Sequence, residues 1–488
     1  MSNISNKNHW LLEQAKKHPI KIALQDDEFI LTYSQLLKYT INAARHFKTI
    51  GIKSNDHISI TSNNSIEFVI TINALWLLGA VPVPLNLKLN PIEIEKLVLH
   101  SKSKILLNIN NAVDTSKILF QNISSITLDD FTNHQASFQE EVFNINNIAL
   151  MMYSSGSTGT PKCVQLAFNN LFESAKSLQN LISEATNDVW LASLPFYHIG
   201  GFSIITRSLL WGCTIAFTKS FCIEEMINSF TKYKPTYFSI VPTMLKKMLD
   251  QNVKPWKELK NIFIGGGPLN RNDIMKAVDL GFPLIGVYGS TETTSMVTAV
   301  MGKELFVQSG CAGRPLPGNT IEIVDNERIT LEKMKIGEIG EIVISSKCVA
   351  SSYFNYSVTS DSKILNQKFY SNDLGYFDEN DNLFLVGRKD DMIISGGENF
   401  NLNEIESYTK SLSNISDCIT IKTKDEKWGE SYVLFITLNE KSKKVEERIL
   451  DSLKNKFPNF KQPKSINFVD DLLRNELGKI DKKRLMEL

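Results

Sequence analysis

The sequence predicts an α/β protein with a large N-terminal domain of layered α/β sheets plus a β-barrel-like region. A small, mobile α+β domain follows at the C-terminus. Three observations carry this expectation. Short apolar, β-rich runs alternate with helical stretches as far as about residue 318, the pattern of strand–helix–strand units with largely parallel sheets. Closely spaced strand-like runs then succeed one another on tight turns. Beyond Gly387 strands and helices mix again in a compact stretch.

Taken in order, HISIT (57–61), a helix near 65–78 and VPVPL (81–85) form one strand–helix–strand unit. VWLASLPF (189–196), TIAFT (214–218), TYFSIV (236–241), NIFIGG (261–266) and PLIGVYG (283–289) read as buried strands. Helices near 243–251 and 270–280 fall between the later ones. TIEIV (320–324), GEIGEIVIS (337–345) and GYFDENDNLFLVG (375–387) make the antiparallel region. The last stretch holds IISGG (393–397), a helix near 403–412, CITIK (418–422), YVLFITL (432–438), a helix near 445–454 and SINFV (465–469). The expected boundary therefore divides residues 1–387 from 388–488.

Composition narrows the function classes. Lys plus Arg equals Asp plus Glu at 53 each, so no net charge draws the chain to nucleic acid or to an anionic membrane. The most apolar stretch, 70–85, is broken by Asn73, Gly79 and two prolines, too short for a membrane span. The N-terminus shows no signal pattern, and the six cysteines are scattered without a CxxC pair. A cytoplasmic protein with reduced thiols is the expectation, and self-association into a homo-oligomer stays open.

The chemistry starts at YSSGSTGTPK (153–162). Seven consecutive Gly, Ser and Thr residues cannot build a core, but their N–H groups and hydroxyls can surround phosphate oxygens, with Lys162 supplying a point charge. It is not a Walker A loop, because Pro161 precedes the lysine and Cys163 follows it.

SSGSTGTPK resembles the phosphate loop of the adenylate-forming superfamily, which contains acyl-CoA ligases, luciferases and peptide-synthetase adenylation domains. GVYGSTET (286–293), FYSNDLGYF (369–377), GRKDDMIISGGEN (387–399) and NELGKIDKKRL (475–485) resemble its later motifs in order and spacing. The resemblance covers the chain from about residue 20 to its end. It implies a two-step reaction using ATP, Mg²⁺ and coenzyme A on a small carboxylic acid, through an acyl-adenylate.

The site residues follow from the same resemblance. Ser154, Ser155, Gly156, Ser157, Thr158, Gly159 and Lys162 would hold the β- and γ-phosphates. Tyr288, Gly289 and Ser290, with Gly266 and Gly267, would border the nucleotide. Thr291 would bond the α-phosphate and Glu292 would hold Mg²⁺, although a helix-capping carboxylate is the plainer alternative. Asp373 would accept the ribose hydroxyls, with Asn372 standing where the family has glycine. Arg388 would reach the ribose or phosphates unless it is an exposed linker arginine. Lys479 would bridge the substrate carboxylate and the α-phosphate.

Asp390 would be the hinge between two domain arrangements. Ser395, Gly396 and Gly397 would meet the pantetheine arm, as would Trp428 unless it is a core residue. His198, Gly265, Ser295 and Thr298 would line the acyl pocket, though a lone histidine is commonly structural. The segment 190–212, with 387–399, most resembles the branch acting on o-succinylbenzoate, a menaquinone precursor; fatty and aryl acids are the competitors. Arg207, on an apolar helix, requires an anion. That anion is either the second carboxylate of such an acid or a carboxylate of the protein. A peptide-synthetase module would need a carrier domain, for which the sequence leaves no room, and a non-catalytic scaffold would have no reason to keep these motifs together.

Overall fold

The computed structural model describes residues 8–132, 134, 140–154, 162–179, 181–182, 187–218, 222–267, 269–301, 310–325, 334–356, 363–395, 398–425, 429–440, 442–474 and 480–487. The chain divides into two compact units, Met1–Ile321 with Ile344–Tyr370, and Glu322–Val343 with Ser371–Leu488. The antiparallel strands expected to belong with the α/β layers thus group in part with the C-terminal residues. No described helix is long and apolar enough to cross a membrane.

In the first unit the main sheet places its strands in the order Cys311–Pro315, Ser295–Met301, Leu284–Ser290, Asn261–Ile264, Tyr237–Ile240, Val189–Ala192, Thr214–Phe217, Ile22–Gln25 and Ile30–Thr32. From Leu284–Ser290 through to Ile22–Gln25 every neighbouring pair is parallel. Helices Ile199–Trp211, Ile223–Tyr233, Pro242–Asp250 and Arg271–Asp279 make the crossovers, as parallel pairing requires. Apolar side chains from strands and helices, including Leu191, Met226, Phe238, Met248, Ile262 and Ile274, close into one core.

The strand order reverses at Val189–Ala192. Its chain successor, Thr214–Phe217, lies on one side, and Tyr237–Ile240, Asn261–Ile264 and Leu284–Ser290 follow on the other. Connections leaving the carboxyl ends in opposite directions open a crevice, where ligands of open α/β sheets bind. The stretches LPFYHIGG, GGG and STET all leave carboxyl ends of strands in this sheet.

A second sheet, parallel throughout, orders Val81–Pro84, His57–Thr61, Ile105–Ile109 and Ile123–Ile126. Its helices begin on strong caps. Thr32 and Gln35 form a capping box at Tyr33–Thr49, and Asn90 and Glu93 do so at Pro91–His100, where proline also occupies the first turn. Helix Ile66–Leu77 is buried along its whole length.

In the second unit, Leu383–Arg388 pairs antiparallel with the later half of strand Lys368–Phe377. A further sheet orders Glu398–Asn401, Met392–Ser395, Gly429–Leu438 and Ile415–Asp425, with Ser465–Phe468 parallel to Gly429–Leu438. Helices Leu402–Ser411 and Lys443–Lys456 contribute Ile405, Ile449 and Leu453 to a core with Ile393, Tyr432 and Leu434.

One cluster in the first unit carries a pH dependence. The His9 ring sits among Trp76 and Phe143, 6.1 and 6.4 Å away between centroids, and neither ring nitrogen has a partner among the described residues. Burial pulls its pKa from 6.5 to about 4, so the folded state holds the neutral ring. The associated stability is complete above pH 6.5 and is lost as pH falls from 6.5 toward about 4. Denaturant unfolding across that window should show a decline of roughly 3 kcal/mol that His9→Phe flattens.

Candidate active site

The glycine–serine–threonine segment leaves and rejoins one antiparallel pair of strands. Ser154 ends Ile148–Ser154, Lys162 begins Lys162–Ala167, and the two face each other across the ladder. Ser155, Gly156, Ser157, Thr158 and Gly159 lie outside the described residues. Both anchors are placed. Ser154 Oγ donates to Glu292 Oε1 at 3.1 Å, and the Tyr353 hydroxyl donates to the same oxygen at 3.0 Å. Burial first, and the Glu292 charge second, push the Tyr353 phenol far above its ordinary range, which keeps it a donor.

The second Glu292 oxygen, Oε2, accepts no protein hydrogen bond among the described residues. A hard oxygen held in place and left free suits a divalent cation that takes its remaining ligands from phosphates and water. Among the described residues no cluster of three or more His, Cys, Asp or Glu offers a separate metal site. The Lys162 ammonium lies 5.2 Å from the Tyr353 ring centroid and 4.8 Å from that of Tyr356, with no carboxylate in ion-pair range among the described residues. Its charge is therefore held by aromatic faces and free for an anion.

Glu292 does not open a helix. Thr291–Thr294 form a turn, and Leu284–Ser290 returns antiparallel as Ser295–Met301. Thr294 and Ser295 take φ of 54° and 87°, unfavourable for residues with side chains and for a β-branched one above all. Surrounding bonds impose them. Ser290 N donates to Thr293 Oγ1 at 2.8 Å, Thr294 Oγ1 to Cys348 O at 2.6 Å, and Ser174 Oγ to Thr294 O at 2.6 Å.

The hairpin also meets the acyl end. Arg207, on helix Ile199–Trp211, is 1% exposed, and its Nη2 donates to Ser295 Oγ at 3.4 Å. The guanidinium lies 5.7 Å from the Trp190 ring centroid, while Nε and Nη1 have no partner among the described residues. No described carboxylate lies within ion-pair distance of it, so the option of a protein carboxylate partner finds no support among the described residues. Burial brings its pKa down to about 9, still charged at neutral pH.

The remaining residues fall as follows. His198 is half-buried and immediately precedes the Arg207 helix. Gly265, Gly266 and Gly267 follow strand Asn261–Ile264, with Gly266 at φ 79° beside Val241. Tyr288 faces Thr298 across the hairpin, and Thr298 donates its hydroxyl hydrogen to Ala312 O at 2.6 Å, leaving none for a ligand.

Within the second unit Asp373 and Arg388 face each other on paired strands, Arg388 Nε being 3.5 Å from Asp373 Oδ1. Asn372, at the position where the family has glycine, adopts φ 63°, and its amide donates to Asp390 Oδ1 at 3.3 Å. Asp390 sits in the helical turn Lys389–Asp391. Ser395 ends strand Met392–Ser395; Gly396, Gly397, Trp428 and Lys479 lie outside the described residues. Sequence reasoning missed Tyr353, whose SSYFNY setting carries no phosphate-loop or metal signature.

Within the first unit, a carboxylate with one oxygen unengaged among the described residues and a lysine held by aromatic faces suit a phosphate group and its cation. The AMP-binding enzyme family matches residues 11–354 and the AMP-binding enzyme C-terminal domain matches 404–479, and the chain belongs to that family. It is 30% identical over 477 residues to a 2-succinylbenzoate–CoA ligase of Oceanobacillus iheyensis, covering 97% of each chain. It superposes with a TM-score of 0.89 on the o-succinylbenzoate CoA synthetase of Bacillus subtilis in complex with the acyl-adenylate intermediate, at 29% identity over 98% of this chain and 97% of that one. The same Bacillus enzyme with ATP and magnesium ion gives 0.88, at 28% identity over 98% and 99%.

The hairpin leaves no room at Gly289, where a Cβ would lie 1.7 Å from Ser295 O. Gly289→Ala should therefore cost at least about 3 kcal/mol in urea unfolding of the first unit.

Proposed function

We propose that this chain is an ATP-dependent acid–CoA ligase of the cytoplasm whose acid is o-succinylbenzoate, serving menaquinone biosynthesis. In the first half-reaction a carboxylate oxygen attacks the α-phosphorus of ATP, the bond to pyrophosphate breaks, and an acyl-adenylate forms. In the second the CoA thiolate attacks the acyl carbon and AMP leaves.

The observation that carries the choice of acid is Arg207. A guanidinium buried to 1% exposure, with two nitrogens unpaired among the described residues, stabilises a bound anion and penalises an apolar chain. o-Succinylbenzoate has two carboxylates, one to activate and one to be held. Arg207 takes the held carboxylate, with Ser295 alongside, which leaves the other at the crevice near His198 and Gly265. A fatty acid offers nothing to that guanidinium.

Repulsion between carboxylate and triphosphate is the main barrier, so positioning and charge do most of the work. Lys162 and the loop Ser154–Gly159 cradle the β- and γ-phosphates. Mg²⁺ bound through Glu292 would neutralise part of the triphosphate charge. Tyr288, Gly289, Ser290, Gly266 and Gly267 border the nucleotide, and Thr291 bonds the α-phosphate. Asp373 accepts the ribose hydroxyls, a charge-assisted pair of bonds, with Arg388 beside it. Lys479 bridges the reacting carboxylate and the α-phosphate. Rotation about Asp390 then withdraws it and brings Ser395, Gly396, Gly397 and Trp428 to the pantetheine.

Two measurements test this. In a CoA-thioester assay o-succinylbenzoate should exceed octanoate, palmitate and benzoate in kcat/KM by at least about a hundredfold. A fatty acid ahead by that margin would contradict the choice of acid. Lys479→Ala should abolish adenylate formation, read as pyrophosphate release, yet leave thioester formation from supplied acyl-adenylate largely intact; equal losses in both half-reactions would refute that role.

A further inference from the structure

The loop that delivers His198 is held from another sheet. Asn64 lies in the connection between strand His57–Thr61 of the second sheet and helix Ile66–Leu77. Its Nδ2 donates to Ala192 O at 3.3 Å and Leu194 O at 2.8 Å, and its Oδ1 accepts from Phe196 N at 2.9 Å. Those three groups run from Ala192, the last residue of the main sheet's switch strand, into the irregular stretch 193–196 that leads to His198.

That segment needs such support. Pro195 has no N–H to contribute, and backbone groups outside a ladder must find partners elsewhere. The other side of the loop is closed by Gly201, where a Cβ would lie 2.2 Å from Pro195 O and 2.5 Å from Leu194 O. Phe196 packs on Phe68 of the Ile66–Leu77 helix with ring centroids 5.4 Å apart. Asn64 is itself well fixed, because the next residue, Ser65, caps that helix by accepting from Phe68 N at 3.2 Å.

We propose that Asn64 is a positioning residue of the acyl site, its carboxamide fixing the path of 192–196 and so the entry of His198 beside the substrate. This rests on the acyl pocket assigned above. An amide is required because it alone offers two donors and an acceptor in one plane. Aspartate would keep the acceptor, remove both donors and set a charge against two carbonyl oxygens. Serine would fall short of the loop.

The test compares wild type, Asn64→Asp and Asn64→Ser with the acid that the wild-type chain turns over fastest from the panel above. The acid KM should rise about tenfold in Asn64→Asp and about threefold in Asn64→Ser, with the ATP KM within about twofold of wild type. Lost bonds at 192–196 lower the melting temperature of both variants, so the split between acid and ATP KM carries the test. Acid and ATP KM rising together, or an unchanged acid KM, would overturn the inference. If Asn64→Asp does not fold, Asn64→Ser carries the same comparison. Preference for an acid other than o-succinylbenzoate contradicts the choice of acid while leaving the Asn64 comparison decisive; a chain that turns over none of the acids overturns both.

Discussion

A guanidinium removed from water with no carboxylate beside it among the described residues is the constraint on which the Arg207 region depends. Leaving a charge buried and unpaired costs several kcal/mol. Arg207 is held in that state by a helix with no freedom to release it, since Ile204, Ile205, Thr206 and Ser208 around it are buried as well. Its ring contact with Trp190 and its bond to Ser295, the one found among the described residues, offset only part of the penalty. On the proposed reading, an anionic ligand would recover the remainder, and the pocket would select by charge as well as by shape.

At the nucleotide end one carboxylate organises three separate stretches of chain. Glu292 Oε1 receives Ser154 from the phosphate-loop strand and Tyr353 from the segment after residue 344. The strained Thr294 and Ser295 join this carboxylate to the acyl end through a single hairpin. Backbone strain of about 1–3 kcal/mol per residue persists only where neighbours over-determine it, and here three side-chain bonds do so. In the proposed function, phosphate, cation and acid would thus share one rigid element, which suits a reaction limited by bringing two anions together.

Much of this could be read from the sequence because local chemistry dictates it. The alternation of strands and helices requires parallel sheets, and the motif loops depend on glycine and hydroxyl residues that have no use in a core. Asn372, noted in the sequence as standing where the family has glycine, takes φ 63°, a conformation asparagine tolerates better than most residues. What escaped were relations set by tertiary contact. Tyr353 and Asn64 act across 61 and more than a hundred residues of chain, with no pattern to announce them. Glu292 looked capable of capping a helix, but strand pairing with Ser295–Met301 prevailed over local propensity. Long-range strand pairing likewise groups 322–343 and 371–387 with the second unit.

The most direct measurement is a coupling cycle between Arg207 and the held carboxylate. It compares kcat/KM for o-succinylbenzoate and for its ester blocked at that carboxylate, in wild type and in Arg207→Met. Wild type should disfavour the ester by about a hundredfold or more, and the ratio should fall close to one in Arg207→Met. An identical ratio in both proteins would contradict the role of this buried charge.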